Sequence, residues 1–585
     1  MALKNEDRQE IGVPGRDAGI RLRIWPALLI VIVNLSVALA AWRFGTTNIH
    51  AMVGFIIVPI LAAVLLIIWW LAASRAPVRD RWAGFALVAA VLFWVYITQK
   101  SNGELLLMAA VPTITTGVVA LLAVTFWLPW PVRRWCVVAL MAGCAAVFTA
   151  TRADGIGSNF VPILAWRSSP TAEELVAASE GLANPKPGAM AHVPAQAGPG
   201  DWPGFRGPAR DGRAEGVTFS ADWSTPPRQI WRHPVGPAWS SFVVVGDYLF
   251  TQEQRGNDEA VTCYLAATGE GIWVNRVPVR FDNNMGPGPR ATPAYDQGRL
   301  YTLGATGILQ CLDAATGKTI WKRDVTQDAE TKIPTWGFSG SPLVVVDRVI
   351  VFPGGDEGKS VVAFDRTSGD LAWRAGAATG GYSSPQLTRI AEVSQVLISC
   401  DFGLMSLVPE TGASLWEHPW KTKADPRIDQ PLLVDGASVI LGSTAGTGRL
   451  RVQKTESAWT VATEWTVKSF RPYFNDFVCH KGHCYGLDGN RLSCIDAQTG
   501  QGRWDAIRCG GQVLLVPEID TFLVLSEAGD VILVQAAPEK FTELARFKAL
   551  NGKTWNHPVI AHGKLFVRNA EEAACFELPA DPTAR

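Results

Sequence analysis

CLDAATGKTIW, residues 311–321, is the stretch that decides the fold. An apolar strand runs to Asp313, a Thr-Gly pair turns the chain, and a second strand closes on Trp321. Asp and Thr side chains cap such a turn, and Gly supplies its positive φ. The phrase recurs as CYLAATGEGIW ending at Trp273, AFDRTSGDLAW at Trp373, SLVPETGASLW at Trp416 and CIDAQTGQGRW at Trp504. Weaker copies end at Trp231, at Trp465 and near Phe547. The spacings between these marks are 42, 48, 52, 43, 49, 39 and 43 residues. That is the length of one four-stranded propeller blade.

Hairpin patterns precede the marks, as in FVVVGDYLFTQ, PLVVVDRVIVF and FVCHKGHCYGL, with turns at Gly246–Asp247, Asp347–Arg348 and Lys481–Gly482. Such strands are apolar on both faces, as stacked sheets require. The first mark, Trp231, has no complete blade before it, and the hairpin from His557 to Leu578 has no Trp strand after it. Together the fragments make one blade. Residues 201–585 therefore read as an all-β eight-bladed propeller, closed by a strand around Gln229–Trp231 against the C-terminal strands.

The first 150 residues answer to a different solvent. Five apolar runs, Ile24–Trp42, Ala51–Ala73, Trp82–Thr98, Leu105–Trp127 and Trp135–Ala150, approach the ~20 residues needed to cross a bilayer. Trp25, Trp42, Trp127, Trp130 and Trp135 mark run ends, where indole suits the interface. The reading is an N-terminal α-helical membrane domain of five spans over 1–150. Ten Lys and Arg flank one side (Lys4, Arg8, Arg16, Arg21, Arg23, Arg75, Arg79, Arg81, Arg133, Arg134) against Arg43 and Lys100 on the other. This places the N-terminus in the cytoplasm and the propeller in the periplasm of a bacterial inner membrane. None of the five runs contains a charged residue or His, which favours an anchor over a transporter. Residues 151–200 read as a Pro/Ala/Gly-rich linker with one short helix, because Thr171 and Glu174 have capping-box spacing. Overall the chain is 48% apolar and 18% charged with formal net charge +0. That excludes a disordered chain and offers nothing to nucleic acid.

The repeats resemble those of the pyrroloquinoline-quinone-type propellers, which build quinoprotein dehydrogenases and also non-enzymatic outer-membrane assembly propellers. The resemblance covers about residues 201–578. Five spans before such a domain are also similar to the membrane-bound quinoprotein glucose dehydrogenases. That likeness implies pyrroloquinoline quinone with Ca²⁺ or Mg²⁺ as cofactor and ubiquinone as electron acceptor. The assembly propellers imply a periplasmic protein partner instead, although no lipobox follows the first apolar run here.

A propeller site lies where the innermost strands begin. The residues there form one polar cluster per blade: Trp239–Ser240–Ser241, Arg290–Ala291–Thr292, Phe338–Ser339–Gly340–Ser341, Tyr382–Ser383–Ser384, Ile428–Asp429–Gln430, Phe474–Asn475–Asp476, Gly510–Gly511–Gln512 and Trp555–Asn556–His557. This registration puts Arg290, Asp429, Asn475, Asp476, Asn556 and His557 around one mouth, with Trp239, Trp336 and Trp555 as stacking faces. Asp429, Asn475 and Asp476 are the oxygen donors for a hard cation. Arg290 suits a carboxylate, and Arg290, Trp239, Trp336, Trp555 and Asn556 are the cofactor-binding candidates. Asp476 or His557 is the candidate base. The competing reading is a hydrated rim whose polar side chains satisfy strand ends. The compact propeller, with no adjacent Cys pair and no transferable ligand set, weighs toward a binder of a small ligand or protein partner. A quinoprotein dehydrogenase of sugars or alcohols is the alternative.

Cys263, Cys311 and Cys494 share one repeat position with Ala363 and Ser406, a small-residue core slot. Around the turn at Lys481–Gly482, Cys479 faces Cys484 and His480 faces His483, on opposite sides of the hairpin. A single zinc ion cannot gather all four. A disulfide and a pair of free thiols both remain open. DWPGFRGPARDG, residues 201–212, reads as an opening segment whose Trp202 and Phe205 cover an edge of the ring.

Overall fold

The computed structural model describes residues 22–45, 48–99, 103–158, 160–179, 192–356, 358–420, 428–472 and 474–581. The chain divides into two units between Ser168 and Ser169.

Among the described residues, the first unit holds five helices long and apolar enough to cross a membrane: Trp25–Phe44, His50–Ala73, Val78–Ile97, Gly103–Val124 and Trp130–Ala150. The fifth starts earlier than its apolar run, because Pro131 suits a helix N-terminus and Arg133 and Arg134 fall inside the first turns. Arg133 donates to Leu122 O at 2.6 Å, and Trp130 Nε1 donates to Asp80 Oδ2 at 2.6 Å. The polar helix ends thus tie neighbours together. Thr151–Ile156 and Pro162–Trp166 pair as an antiparallel hairpin, a feature the linker composition did not signal. The short helix lies at Ala172–Ala178, with the Thr171/Glu174 capping box present.

The second unit is the eight-bladed propeller, each blade a four-stranded antiparallel sheet. In blade 1 the strands are Val243–Val245, Tyr248–Arg255, Asp258–Leu265 and Gly271–Val277. First strands touch between blades 1 and 2, 2 and 3, 3 and 4, and 6 and 7, which puts them at the axis. Blade 8 closes the ring as read from sequence: Arg228–Pro234 pairs with Glu572–Glu577, with Trp231 opposite Cys575. Arg568 adds a buried latch from blade 8 to blade 1, donating to Thr251 Oγ1 at 2.7 Å, Gln252 O at 3.1 Å and Gly236 O at 2.7 Å.

The repeat phrase is an interlock between blades. Asp313 Oδ1 accepts from Thr316 N at 2.8 Å and Thr316 Oγ1 at 2.7 Å, which shapes the turn. Gly317 has φ +68°, and a Cβ there would lie 2.4 Å from the Trp273 ring of the preceding blade. The indole Nε1 of Trp273 donates to Ala314 O in that turn at 3.0 Å. Trp231, Trp321, Trp373 and Trp504 repeat the bond, to Ala266, Arg366, Pro409 and Ala537 carbonyls. Each Trp thus buries its ring on the next blade's turn and satisfies its donor there. Burying one large apolar side chain contributes roughly 2–3 kcal/mol. Trp416 breaks the rule, bonding Gln395 Oε1 within its own blade at 2.8 Å, because blade 5 lacks the Thr-Gly turn. Cys263, Cys311 and Cys494 are fully buried in the shared slot.

Candidate functional site

Eight residues at one register position, just before the innermost strands, form a belt around the axis. Ser241 N donates to Thr292 Oγ1 at 3.0 Å, Thr292 N to Ser341 Oγ at 2.9 Å and Ser341 N to Ser384 Oγ at 2.9 Å. Ser384 N reaches Gln430 Oε1 at 2.8 Å once that amide is oriented to satisfy both its groups. Gln430 N donates to Asp476 Oδ1 at 2.8 Å, and Asp476 N to Gln512 Oε1 at 3.4 Å. Gln512 Nε2 donates to Trp555 O at 3.2 Å, and Ser241 Oγ to His557 O at 2.6 Å. Side chains of one blade thereby bond the backbone of its neighbour, with N–H groups satisfied that would otherwise be buried orphans.

Asp476 belongs to this belt and carries more. Its Oδ1 lies 3.3 Å from Arg206 Nη1, and its Oδ2 lies 3.2 Å from His557 Nε2. All three residues are largely buried. Burial pushes the carboxyl up, but the Arg206 guanidinium, His557 and the Gln430 N–H together hold it below the usual range. Burial pushes His557 below its usual range, against the pull of Asp476.

Arg206 comes from DWPGFRGPARDG, which does not cover an edge. The segment plugs the axial channel. Trp202 bridges to Val244 of blade 1, and Pro203 O accepts from Tyr295 N of blade 2. Arg210 donates to Ser341 O and Pro342 O of blade 3 at 3.1 and 2.9 Å, and Ala209 O accepts from Gln386 of blade 4 at 3.0 Å. Arg206 Nη2 donates to Phe477 O of blade 6 at 2.7 Å, Gly212 O accepts from Leu515 N of blade 7 at 2.8 Å, and Phe205 lies edge-on to His557 of blade 8 at 4.9 Å. A Gly- and Pro-rich strip can do this because it exposes backbone groups to every strand it crosses. Two arginines in a segment expected to pack on a ring were the signal that sequence reasoning passed over.

The residues one step outward line the mouth. Trp239 and Trp555 rings lie 5.0 Å apart, as do Phe474 and Trp555, and Trp336 lies 5.3 Å from Tyr382. Lys553 places its Nζ 4.8 Å from the Trp239 ring and 4.3 Å from the Trp555 ring, and donates to Met285 O at 2.8 Å. Burial pulls its pKa down to about 8. Trp555 Nε1 is oriented by Glu527 Oε1 at 3.1 Å. Neither Lys553 nor Glu527 stood out in the sequence, because each sits outside the polar triplets.

Other expected site residues are engaged locally. Arg290 donates to Trp336 O at 2.8 Å, to Gly286 O at 2.7 Å, to Asn283 Oδ1 at 3.0 Å and to Gly288 O, clamping the loop it closes. Burial brings its pKa down to about 9. Asp429 Oδ2 accepts from Gly442 N at 2.8 Å. Asn475 donates to Gly511 O, and Asn556 to Ala238 O at 3.1 Å and Ser240 O at 2.7 Å. The Oδ1 atoms of both asparagines are buried without a partner. The contacts thus bring together Asp476 with His557, Arg290 with Trp336, and Trp239 with Trp555. Among the described residues, no three His, Cys, Asp or Glu side chains converge as a metal site. The hairpin register is as read, and Cys479 and Cys484 form a disulfide.

The repeats are similar to those of the pyrroloquinoline-quinone type. The family described as "Outer membrane protein assembly factor BamB" matches residues 257–506. BamB of Yersinia pestis is 24% identical over 298 residues, 48% of this chain and 71% of that protein. Quinohemoprotein alcohol dehydrogenase ADH IIB of Pseudomonas putida is 30% identical over 146 residues, 22% of this chain and 20% of that enzyme. The chain therefore spans about a fifth of that dehydrogenase's length. The quinohemoprotein alcohol dehydrogenase of Comamonas testosteroni aligns with TM-score 0.49 at 15% identity, covering 71% of this chain and 84% of that one.

Proposed function

We propose that this chain is a membrane-anchored propeller that binds a protein partner or small ligand at its aromatic mouth and does not oxidise one. One observation carries the reading: both oxygens of Asp476 are already spent, on Arg206 and Gln430 N at one side and on His557 at the other. A divalent cation does not fit there, because the guanidinium occupies the charge a cation would need. Asp429 lends one oxygen to Gly442 N, and Asn475 and Asn556 each keep one buried Oδ1 without a partner. Arg290, bonded to three backbone carbonyls, is a loop clamp in this reading and no receptor for a quinone carboxylate.

The protein-partner form is supported by the likeness to BamB, named as an assembly factor. The five apolar helices act as the anchor, in contact with membrane lipid. The Lys/Arg asymmetry supports a periplasmic propeller, and the Cys479–Cys484 disulfide supports an oxidising compartment.

The second reading, a quinoprotein dehydrogenase passing electrons to ubiquinone, is favoured by the aromatic faces of Trp239, Trp336 and Trp555 and by the likeness to the Pseudomonas putida enzyme. In-cell photo-crosslinking tests the leading reading. A photoreactive residue at Trp336 or Tyr382 should trap a discrete product, and one at Val346, on the inner-hairpin turn of blade 3, should not. Equal labelling of both positions, or none at the mouth, defeats the mouth as binding face.

A further inference from the structure

The plug and the chain just after it bond two innermost strands in the same way. Trp202 exchanges a pair of backbone bonds with Val244 of blade 1, at 2.8 and 2.9 Å. Leu515 of blade 7 donates to Gly212 O and accepts from Ala214 N, both at 2.8 Å. In an antiparallel sheet every second residue of an edge strand points its N–H and C=O away from its neighbour strand, and the incoming chain pairs with those groups.

Leu433 holds the same position in blade 5. Its strand, Leu432–Leu433, is an edge strand of its sheet. Val434 N donates to Ser438 O at 2.9 Å, so Leu433, opposite Val439, belongs to a non-hydrogen-bonded pair and turns its N–H and C=O off the sheet. Among the described residues, no backbone bond from the plug reaches Leu433. Leu433 instead lines a cavity of about 370 Å³, shared with the Cys479–Cys484 hairpin of blade 6 and with Asp211 and Arg213. That size lies within the ~300–1,000 Å³ of ligand pockets. Lys481 and Gln498 on its wall are exposed, so it opens to solvent. The cavity lies at the turn ends of the innermost strands, whereas the aromatic mouth lies at their starts.

The charges around the cavity are unevenly matched. Arg449 meets Asp435 and Glu464, both at 2.6 Å, and Arg213 meets Glu215 at 3.3 Å. Lys481 and His480 both reach Asp520 at 2.6 Å. Asp435 also accepts from Ala437 N at 3.1 Å and Ser438 N at 2.6 Å. Asp211 is held least. Its Oδ1 accepts from Arg213 N at 3.2 Å, while its Oδ2 lies 3.8 Å from the Arg213 Nε that Glu215 already engages. Burial holds this carboxyl above its usual range, against the pull of Arg206 and Arg213. A further cation with N–H donors is what such a group lacks.

We infer that an extended peptide segment bearing a lysine or arginine docks in this cavity, its backbone bridging to Leu433 as Trp202 bridges to Val244, and its cation reaching Asp211. Main-chain bonds supply the affinity, and the side chain selects the sequence. The site does not rest on the function proposed for the mouth.

The test uses the full chain in detergent and pools of fluorescein-labelled heptapeptides, with Val, Thr and Ile at random around a fixed central Lys. Matching pools carry a central Glu, or the central Lys with alternate amides N-methylated. Fluorescence anisotropy should show saturable binding of the Lys pool, about tenfold tighter than the Glu pool. N-methylation should abolish binding, because it removes the donors that a strand needs. Asp211→Asn keeps the acceptor for Arg213 N and should erase the preference for Lys over Glu. Leu433→Pro, tolerated on an edge strand, should weaken every pool. Should that variant fail to fold, the N-methylated pool alone decides the backbone contact. No saturable binding of the Lys pool overturns the proposal. Equal binding of the Lys and Glu pools, undiminished binding after N-methylation, or an unchanged preference in Asp211→Asn overturns it as well.

Discussion

The guanidinium of Arg206, on the plug, and the carboxylate of Asp476, on blade 6, form an ion pair at 3.3 Å with side chains 1% and 5% exposed. Asp476→Asn keeps the Gln430 N–H acceptor but strands the guanidinium. Breaking a buried pair from one side costs about 3–5 kcal/mol. Chemical denaturation of the propeller should show a loss of that size. Arg206→Met combined with Asp476→Asn should recover part of it. An Asp476→Asn protein as stable as wild type would remove the pair from the account.

Acid should loosen the same region in two stages. Burial lowers the folded pKa of His557 below its ordinary 6.5. Between those values the unfolded chain binds more protons, so stability rises with pH and falls on acidification from about 6.5. Asp476 is also depressed when folded, so its contribution is present above about 3.8 and disappears as pH falls through its lower folded value. Unfolding measured from pH 7.5 to 5 should be flatter in His557→Gln than in wild type. Parallel curves would assign the pH response elsewhere.

Lys553, with its pKa near 8, is half unprotonated at that pH, whereas ordinary surface lysines are almost fully charged. Brief acetylation at pH 8 followed by peptide mapping should modify Lys553 ahead of Lys540 and Lys564. A bound partner at the mouth should slow that reaction selectively. Equal rates for all three lysines would deny Lys553 its buried, aromatic setting.

The hairpin disulfide closes a short loop, and the chain-entropy relation gives it about 2 kcal/mol. Cys479→Ser with Cys484→Ser should lower propeller stability by no more than that. Peptide mapping of the chain isolated under alkylation without reductant should find the two residues linked. Fully alkylated thiols would place the propeller in a reducing compartment and reverse the topology.

Closure depends on both ends of the chain. Deleting residues 563–585 removes the partner of Arg228–Pro234 and the Arg568 latch, leaving two open sheet edges. The truncated protein should lose cooperative unfolding of the propeller. An unchanged melting profile would contradict ring closure through blade 8.

The Thr-Gly turn with its Trp-ending strand and the blade count were legible because they repeat, and the closing strand because the two end fragments make one blade; the packing of each Trp on the next blade's turn was not, since it joins residues of different repeats. The position shared by Ser241, Thr292, Ser341, Ser384, Gln430, Asp476, Gln512 and His557 was visible too. Its belt function was hidden because a single Asp or His at that position reads as chemistry, while six side-chain acceptors in a row read as structure. Asp476 looked available until Arg206 arrived from a segment that no repeat contains. The hairpin at 151–166 escaped for the same reason: its pattern occurs once, and the Pro/Gly/Ala-rich stretch that follows set the linker reading for the whole segment.

The central claim is that Asp476 is spent on structure and the propeller binds without oxidising. The most direct measurement incubates the purified full chain with pyrroloquinoline quinone and Ca²⁺ or Mg²⁺, removes free quinone, and follows dye reduction by glucose and ethanol. The account predicts no metal-dependent quinone retention and no turnover above the quinone-free control. Stoichiometric retained quinone, with substrate-dependent dye reduction that Asp476→Asn abolishes while the protein stays folded, would contradict it.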